Sequence, residues 1–184
     1  MPQVEFEVSL TQVQTEDRIP FPNGDIHAFN SEGVDMVEFI ASTNPGEPLK
    51  PLTRIASTGE MSRFMLALKG ALSEADNTPV LVFDEIDIGV GGRSGEIIGK
   101  KLWTLAQNHQ VICVTHLPQI AVFADAHYRV HKEASDNRTL SKLANLNDES
   151  RLNEIATMLS GHQYTETSQD SARELIQKAK AWKE

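Results

Sequence analysis

The sequence predicts an α/β fold, a mainly parallel sheet flanked by helices with an antiparallel N-terminal portion. Two short continuous apolar runs, Val80-Leu81-Val82-Phe83 and Val111-Ile112-Cys113-Val114, fit strands buried on both faces of a parallel sheet. Between them Ile97, Ile98, Leu102, Leu105 and Ala106 recur at helical spacing, which supplies a crossover. Before them the pattern is different: Phe6, Val8 and Leu10 alternate with polar residues, as in an antiparallel layer with one wet face.

In chain order, residues 4–10 read as a half-buried strand. Residues 17–25, with Pro20, Pro22 and Gly24, read as a loop. Residues 34–42 form a second strand, broken by Asn44-Pro45-Gly46. From Ser57 the period changes. Met61, Phe64, Met65, Leu68, Ala71, Leu72 and Ala75 predict a helix with those residues inward. The strand at 80–83 follows, then a turn at Gly89, Gly91 and Gly92, the crossover helix and the strand at 111–114. A short helix over 120–124 and a strand over 127–131 come next. Two amphipathic helices end the chain, the first on Leu152, Ile155, Ala156 and Leu159, the second on Ala172, Leu175, Ile176, Ala179 and Trp182. The expectation is a single domain over 1–184, with an antiparallel part at 1–52, a core at 53–132 and a terminal strand and helices at 133–184. The chain opens in mid-strand without a preceding cap, which suggests a fragment.

Composition narrows the function classes. With 40% hydrophobic and 23% charged residues, the 184-residue chain is globular rather than disordered. No apolar run approaches the roughly 18 residues of a membrane span, and the first ten residues are not a signal peptide. Cys113 is the one cysteine, which excludes an intramolecular disulfide and fits a reducing compartment. A net charge of −9 argues against a generic polyanion-binding surface, though a local basic patch stays open.

Chemistry converges at one sheet edge. The first strand ends in Asp84-Glu85 and the second in Thr115-His116. A right-handed helical crossover makes the strands parallel, so these four residues share the carboxyl edge, where open α/β sheets bind ligands. Four apolar residues followed by two acids resemble a Walker B strand. The first carboxylate can hold Mg²⁺, and the second can polarise a water aimed at a γ-phosphate. A solvated strand end is the plainer alternative. Ser57-Thr58-Gly59-Glu60 opens the first helix as a capping box, and the same free N–H groups can receive a phosphate. His116 could contact a phosphate or orient water. His127 and His131 share a strand face but lack a third ligand, and Cys113 reads as inert core.

Taken in order, four segments carry a resemblance: Phe39-Ile40-Ala41-Ser42-Thr43-Asn44-Pro45-Gly46-Glu47, Ile55-Ala56-Ser57-Thr58-Gly59-Glu60-Met61-Ser62-Arg63, Val82-Phe83-Asp84-Glu85-Ile86-Asp87-Ile88-Gly89-Val90-Gly91-Gly92, and Val111-Ile112-Cys113-Val114-Thr115-His116-Leu117-Pro118-Gln119-Ile120-Ala121. They resemble the C-terminal half of ABC-type ATPase heads, a class that includes SMC-like chromosome and repair ATPases, and they are most similar to its bacterial DNA-repair members. The resemblance implies a P-loop NTPase fold, ATP and Mg²⁺ as cofactors, and roles by position. Ser57, Thr58, Gly59 and Glu60 would form the signature loop facing the nucleotide of a second head in a homodimer. Asp84 would hold magnesium, Glu85 would be the catalytic base, Asp87 would lie in the dimer-facing D-loop, and His116 would be the switch histidine. It also implies double-strand break repair, DNA as a partner and a cytoplasmic, nucleoid-associated setting.

Two departures stand out. The family has Gly where this chain has Thr58, whose β-branch adds bulk where a phosphate approaches. No Walker A sequence G-x-x-x-x-G-K-[ST] is present; the stretch from Gly95 to Lys101 has the wrong spacing. The expected complement is therefore the N-terminal half of the same head, which supplies Walker A. Two other readings compete. A metal-dependent phosphoesterase or nuclease would use Asp84, Glu85, Asp87 and His116. A non-hydrolysing dimerisation module would follow from Thr58.

Overall fold

The computed structural model describes residues 5–42, 46, 48–55, 57–73, 75–135, 138–161 and 163–184. Val4 and the Asn44-Pro45 break lie outside the described residues. The chain divides into two compact units, Met1–Ser57 and Thr58–Glu184.

In the first unit β1 (Glu5–Gln12) runs antiparallel to β4 (Asp35–Ser42). The register pairs Phe6 with Ala41, Val8 with Phe39 and Leu10 with Val37, so the apolar alternation gathers on one face. That face was expected to be half-buried; Phe6, Val8, Leu10, Val37 and Phe39 are instead exposed. β5 (Lys50–Pro51) extends the sheet beside β4 and leads into α1 (Leu52–Ile55). The stretch 17–25 expected to be a loop holds β2 (Arg18–Pro20) and the turn of a hairpin completed by β3 (Ile26–Ala28). Pro20 pairs with Ile26 at the strand end, where its missing N–H costs no ladder bond. The turn closes with Phe21 N–H donating to the Asp25 carbonyl at 2.8 Å, across Gly24 at φ +90°.

The second unit begins with α2 (Thr58–Ala71) and continues through β6 (Val80–Phe83), α3 (Gly92–Leu105) and β7 (Gln110–Cys113). β6 and β7 are parallel, with Val80 opposite Gln110 and Phe83 opposite Cys113. Leu81 and Phe83 point into a core with Leu66, Ile86, Ile98, Leu102, Leu105 and Ile120. The opposite face was expected to be buried too. Val80, Val82, Ile112 and Val114 are exposed, because the two-stranded sheet has a covered side and an open one among the described residues. On α2 the buried large side chain is Leu66, while Met65, expected inside, is exposed, as is Leu72 just past the helix end. Ile97 of α3 is likewise exposed, one position off the buried stripe of Ile98, Leu102 and Leu105.

After α4 (Pro118–Ala121) no third parallel strand is added among the described residues. β8 (Tyr128–Ser135) pairs antiparallel with β9 (Arg138–Asn145). The parallel part is thus confined to β6 and β7, within an α/β fold of mixed sheets. α5 (Asp148–Ser160) and α6 (Glu166–Lys183) pack on each other and on the segment after α4, burying Val122, Phe123, Ile155, Ala156, Ala172 and Ala179. Both begin with side-chain caps, Asn147 accepting from Ser150 N–H and Thr165 from Ser168 N–H. Trp182, expected inward, stays partly exposed but meets Trp103 and Phe123 edge-on at 5.5 and 5.7 Å. No helix among the described residues is long and apolar enough to cross a membrane.

Candidate functional site

Each parallel strand leaves its ladder at the carboxyl end into a turn. The ladder runs one bond beyond the strands, Val114 N–H donating to the Phe83 carbonyl at 2.9 Å, so Asp84 and Val114 leave the two strands side by side and Thr115 follows. Asp84 is exposed, and its Oδ1 accepts the Glu85 N–H at 2.9 Å. Glu85 adopts φ 57°, the one non-glycine residue with positive φ among those described. A left-handed glutamate costs of order 1 kcal/mol, and such strain concentrates at functional sites. The turn continues with Ile88 N–H donating to the Glu85 carbonyl and Val90 N–H to that of Asp87. Ile86 in its middle is completely buried and anchors it to the core.

The first turns of α2 hold this loop from the other side. Ser62 Oγ donates to the Asp84 carbonyl at 2.8 Å. Arg63 donates to the carbonyls of Ile86 and Ile88 at 3.1 and 3.0 Å. Gly59 lies against the loop so closely that a Cβ there would stand 3.0 Å from the Glu85 carbonyl oxygen. Gly59, Ser62 and Arg63 are spaced i, i+3, i+4 and share one helix face. That polar stripe was a signal in the sequence; Ser62 and Arg63 were not singled out from it.

Asp87 turns inward and is 3% exposed. Its Oδ2 accepts from the Thr115 hydroxyl and from the His116 N–H at 2.8 Å, and His116 Nδ1 lies 3.0 Å from the same oxygen. Thr115 Oγ1 in turn accepts the Leu117 N–H at 3.0 Å. Burial pushes the Asp87 carboxyl up, but the Thr115 and His116 hydrogen bonds and the His116 charge outweigh it, leaving the group below the ordinary carboxylate range. The His116 side chain is 71% exposed.

The fold therefore brings Gly59, Asp84, Glu85, Asp87 and His116 together at one edge. Thr58 is exposed as the first residue of α2 and Glu60 sits in its first turn; Ser57 closes the first unit. Cys113, half-buried on β7, has its thiol pushed up to about 12 by burial and by the Asp87 and Asp84 charges, which agrees with an inert core thiol. His127 is held neutral-leaning by burial and the Arg151 charge. Among the described residues no three or more His, Cys, Asp and Glu side chains gather as a metal cluster. At this edge Asp84 and Glu85 present exposed carboxylates. That fits Mg²⁺, which takes one or two carboxylates and fills its shell with phosphate and water.

No family model matches the chain. Its sequence is 38% identical over 173 residues to the DNA repair protein RecN of Bacillus subtilis (strain 168), covering 94% of this chain and 30% of that protein. RecN of Treponema pallidum (strain Nichols) is 47% identical over 144 residues, covering 78% and 25%. RecN of Streptomyces coelicolor is 37% identical over 181 residues, covering 98% and 32%. The chain thus spans about 30% of the length of the curated relatives it matches. Among solved structures, the Smc head domain with an extended coiled coil from Pyrococcus furiosus aligns with a TM-score of 0.49 at 21% identity, over 78% of this chain and 31% of that one. The Smc head domain with a coiled coil and joint from Pyrococcus yayanosii gives 0.49 at 19%, over 85% and 26%.

Proposed function

Because the chain belongs with RecN, matching such a protein along 94% of its own length, we propose that it is the C-terminal lobe of an ABC-type ATPase head acting in DNA double-strand break repair. One observation carries the reading. The parallel register of β6 and β7 sets Asp84-Glu85 beside Thr115-His116, with Glu85 in a left-handed conformation.

In this reading Asp84 holds Mg²⁺, which when bound neutralises charge on the phosphates. Glu85 accepts a proton from the attacking water, and its turn keeps it aimed outward. His116 reaches the γ-phosphate through Nε2. Ser57, Thr58, Gly59 and Glu60 contribute to the nucleotide of a second head, through the free N–H groups at the start of α2. Thr58 narrows the approach there. Walker A comes from the N-terminal half of the same head, and the exposed apolar residues Val80, Val82, Ile112 and Val114 fit a surface that this half covers. The chain is then one lobe of a homodimeric, cytoplasmic, nucleoid-associated protein, and DNA is reached through the full-length molecule.

ATP hydrolysis with Mg²⁺ tests this. The chain is assayed alone, with a polypeptide supplying the Walker A half, and with Glu85→Gln. Turnover only in the reconstituted sample is expected, lowered ~10²–10⁴-fold by Glu85→Gln, with ATP-bound dimers accumulating. Robust turnover by the chain alone, or ordinary turnover in the variant, would overturn the reading.

A further inference from the structure

We propose that Arg63, together with Ser62, is a positioning residue for Glu85: from α2 the two side chains hold the backbone of the left-handed turn that carries it. A glutamate at φ 57° keeps that conformation only where its surroundings impose it. The turn's own bonds are weak ones. Ile88 N–H donates to the Glu85 carbonyl at 3.2 Å and Val90 N–H to that of Asp87 at 3.1 Å, near the long end of the usual range. Ile86, completely buried, pins one point of the loop to the core. The remaining carbonyls are gripped by α2. Ser62 Oγ donates to that of Asp84, and Arg63 Nη1 donates to those of Ile86 and Ile88. Every second carbonyl from 84 to 88 is thus held from the same helix. Arginine stays charged throughout the working pH range, so both of its bonds are charge-assisted and neither titrates away. Gly59 leaves room for this approach, because a Cβ there would stand 3.1 Å from the same Nη1. Arg63 meets the loop through backbone oxygens, so it acts on chemistry only through the turn. Its effect on turnover rests on the ATPase reading; its hold on the turn does not.

Amide hydrogen exchange, read by NMR on this chain, measures the hold. Ile155, completely buried in α5, reports global unfolding. Arg63→Met keeps an apolar stem and removes the donors. Exchange at Ile88 and Val90 is expected to rise at least ~10-fold relative to Ile155, the scale of one lost charged hydrogen bond. Ser62→Ala should raise it roughly 2–10-fold, and it decides the matter if Arg63→Met does not fold. Loop exchange that stays unchanged, or rises only in step with Ile155, would overturn the hold. In the reconstituted head, Arg63→Met should lower kcat ~10–10²-fold at unchanged KM for ATP, as a small misplacement of a reacting group does. Arg63→Lys, which keeps the charge but ends one bond short, should restore part of that loss. Placed in a Glu85→Gln head, Arg63→Met should lower the residual kcat no further, because the two act as one unit. An unchanged kcat, or a full further loss beside Glu85→Gln, would overturn the role in turnover. Absence of turnover in the unaltered head would overturn the ATPase reading, and the exchange result would still decide the hold.

Discussion

Gly59 packs so closely against the backbone of Glu85 that a side chain there would crowd it. A Cβ at Gly59 would meet the Glu85 carbonyl oxygen at 3.0 Å, the Arg63 guanidinium at 3.1 Å and Ile88 Cβ at 3.1 Å. The start of α2 and the loop bearing the left-handed glutamate are thus fitted to each other directly. What moves one moves the other.

Gly59→Ala should therefore destabilise the chain although alanine favours helix. Overpacking of this kind costs about 1–3 kcal/mol, because the backbone oxygen cannot rotate away as a flexible side chain would. Chemical denaturation would read it as a lowered midpoint. A midpoint equal to or above that of the unaltered chain would show that the contact is loose.

Acid should weaken the fold through Asp87. Its folded carboxyl titrates below the ordinary range, held there against burial by Thr115 and His116. The contribution to stability is therefore fully present above the usual carboxylate pKa and is lost as pH falls through the lower folded value. Asp76, whose carboxylate is held down by Lys69 and Thr78, adds to the same acid limb. Denaturation midpoints across the acid range should fall more steeply for the unaltered chain than for Asp87→Asn; equal slopes would remove Asp87 from the account.

Cys113 should resist alkylation. With its thiol pushed up to about 12, the thiolate is scarce at pH 8. Iodoacetamide labelling followed by mass spectrometry should proceed at least ~10-fold faster in denaturant, since a free thiol titrates near 8.5. Equal rates in the two conditions would mean that the native site is open and ionised.

Much of the second unit was legible from residue pattern. The apolar runs at 80–83 and 111–114, with one helix between them, require a parallel pair, and that pair places Asp84, Glu85, Thr115 and His116 at one edge. Other features were hidden because they depend on what lies across space. β8 carries no mark in its own sequence that it will pair with β9 rather than continue the parallel sheet. Val82 and Ile112 are as apolar as Leu81 and Phe83, so their exposure follows only from which face a helix covers. Met65 and Leu66 are adjacent and both apolar; a rotation of α2 by one residue, set by packing, decides which is inside.

The sequence by itself determined the α/β class, the order of the chemical groups and the edge at which they meet, since periodicity and crossover handedness are local rules. Tertiary structure alone decided that Asp87 faces inward. A carboxylate takes its role from its donors, and Asp87 finds them at Thr115 and His116, nearly thirty residues away along the chain. The left-handed turn at Glu85 was decided the same way, by Ser62 and Arg63 of α2 holding the loop from outside its own sequence and by Ile86 seating it in the core.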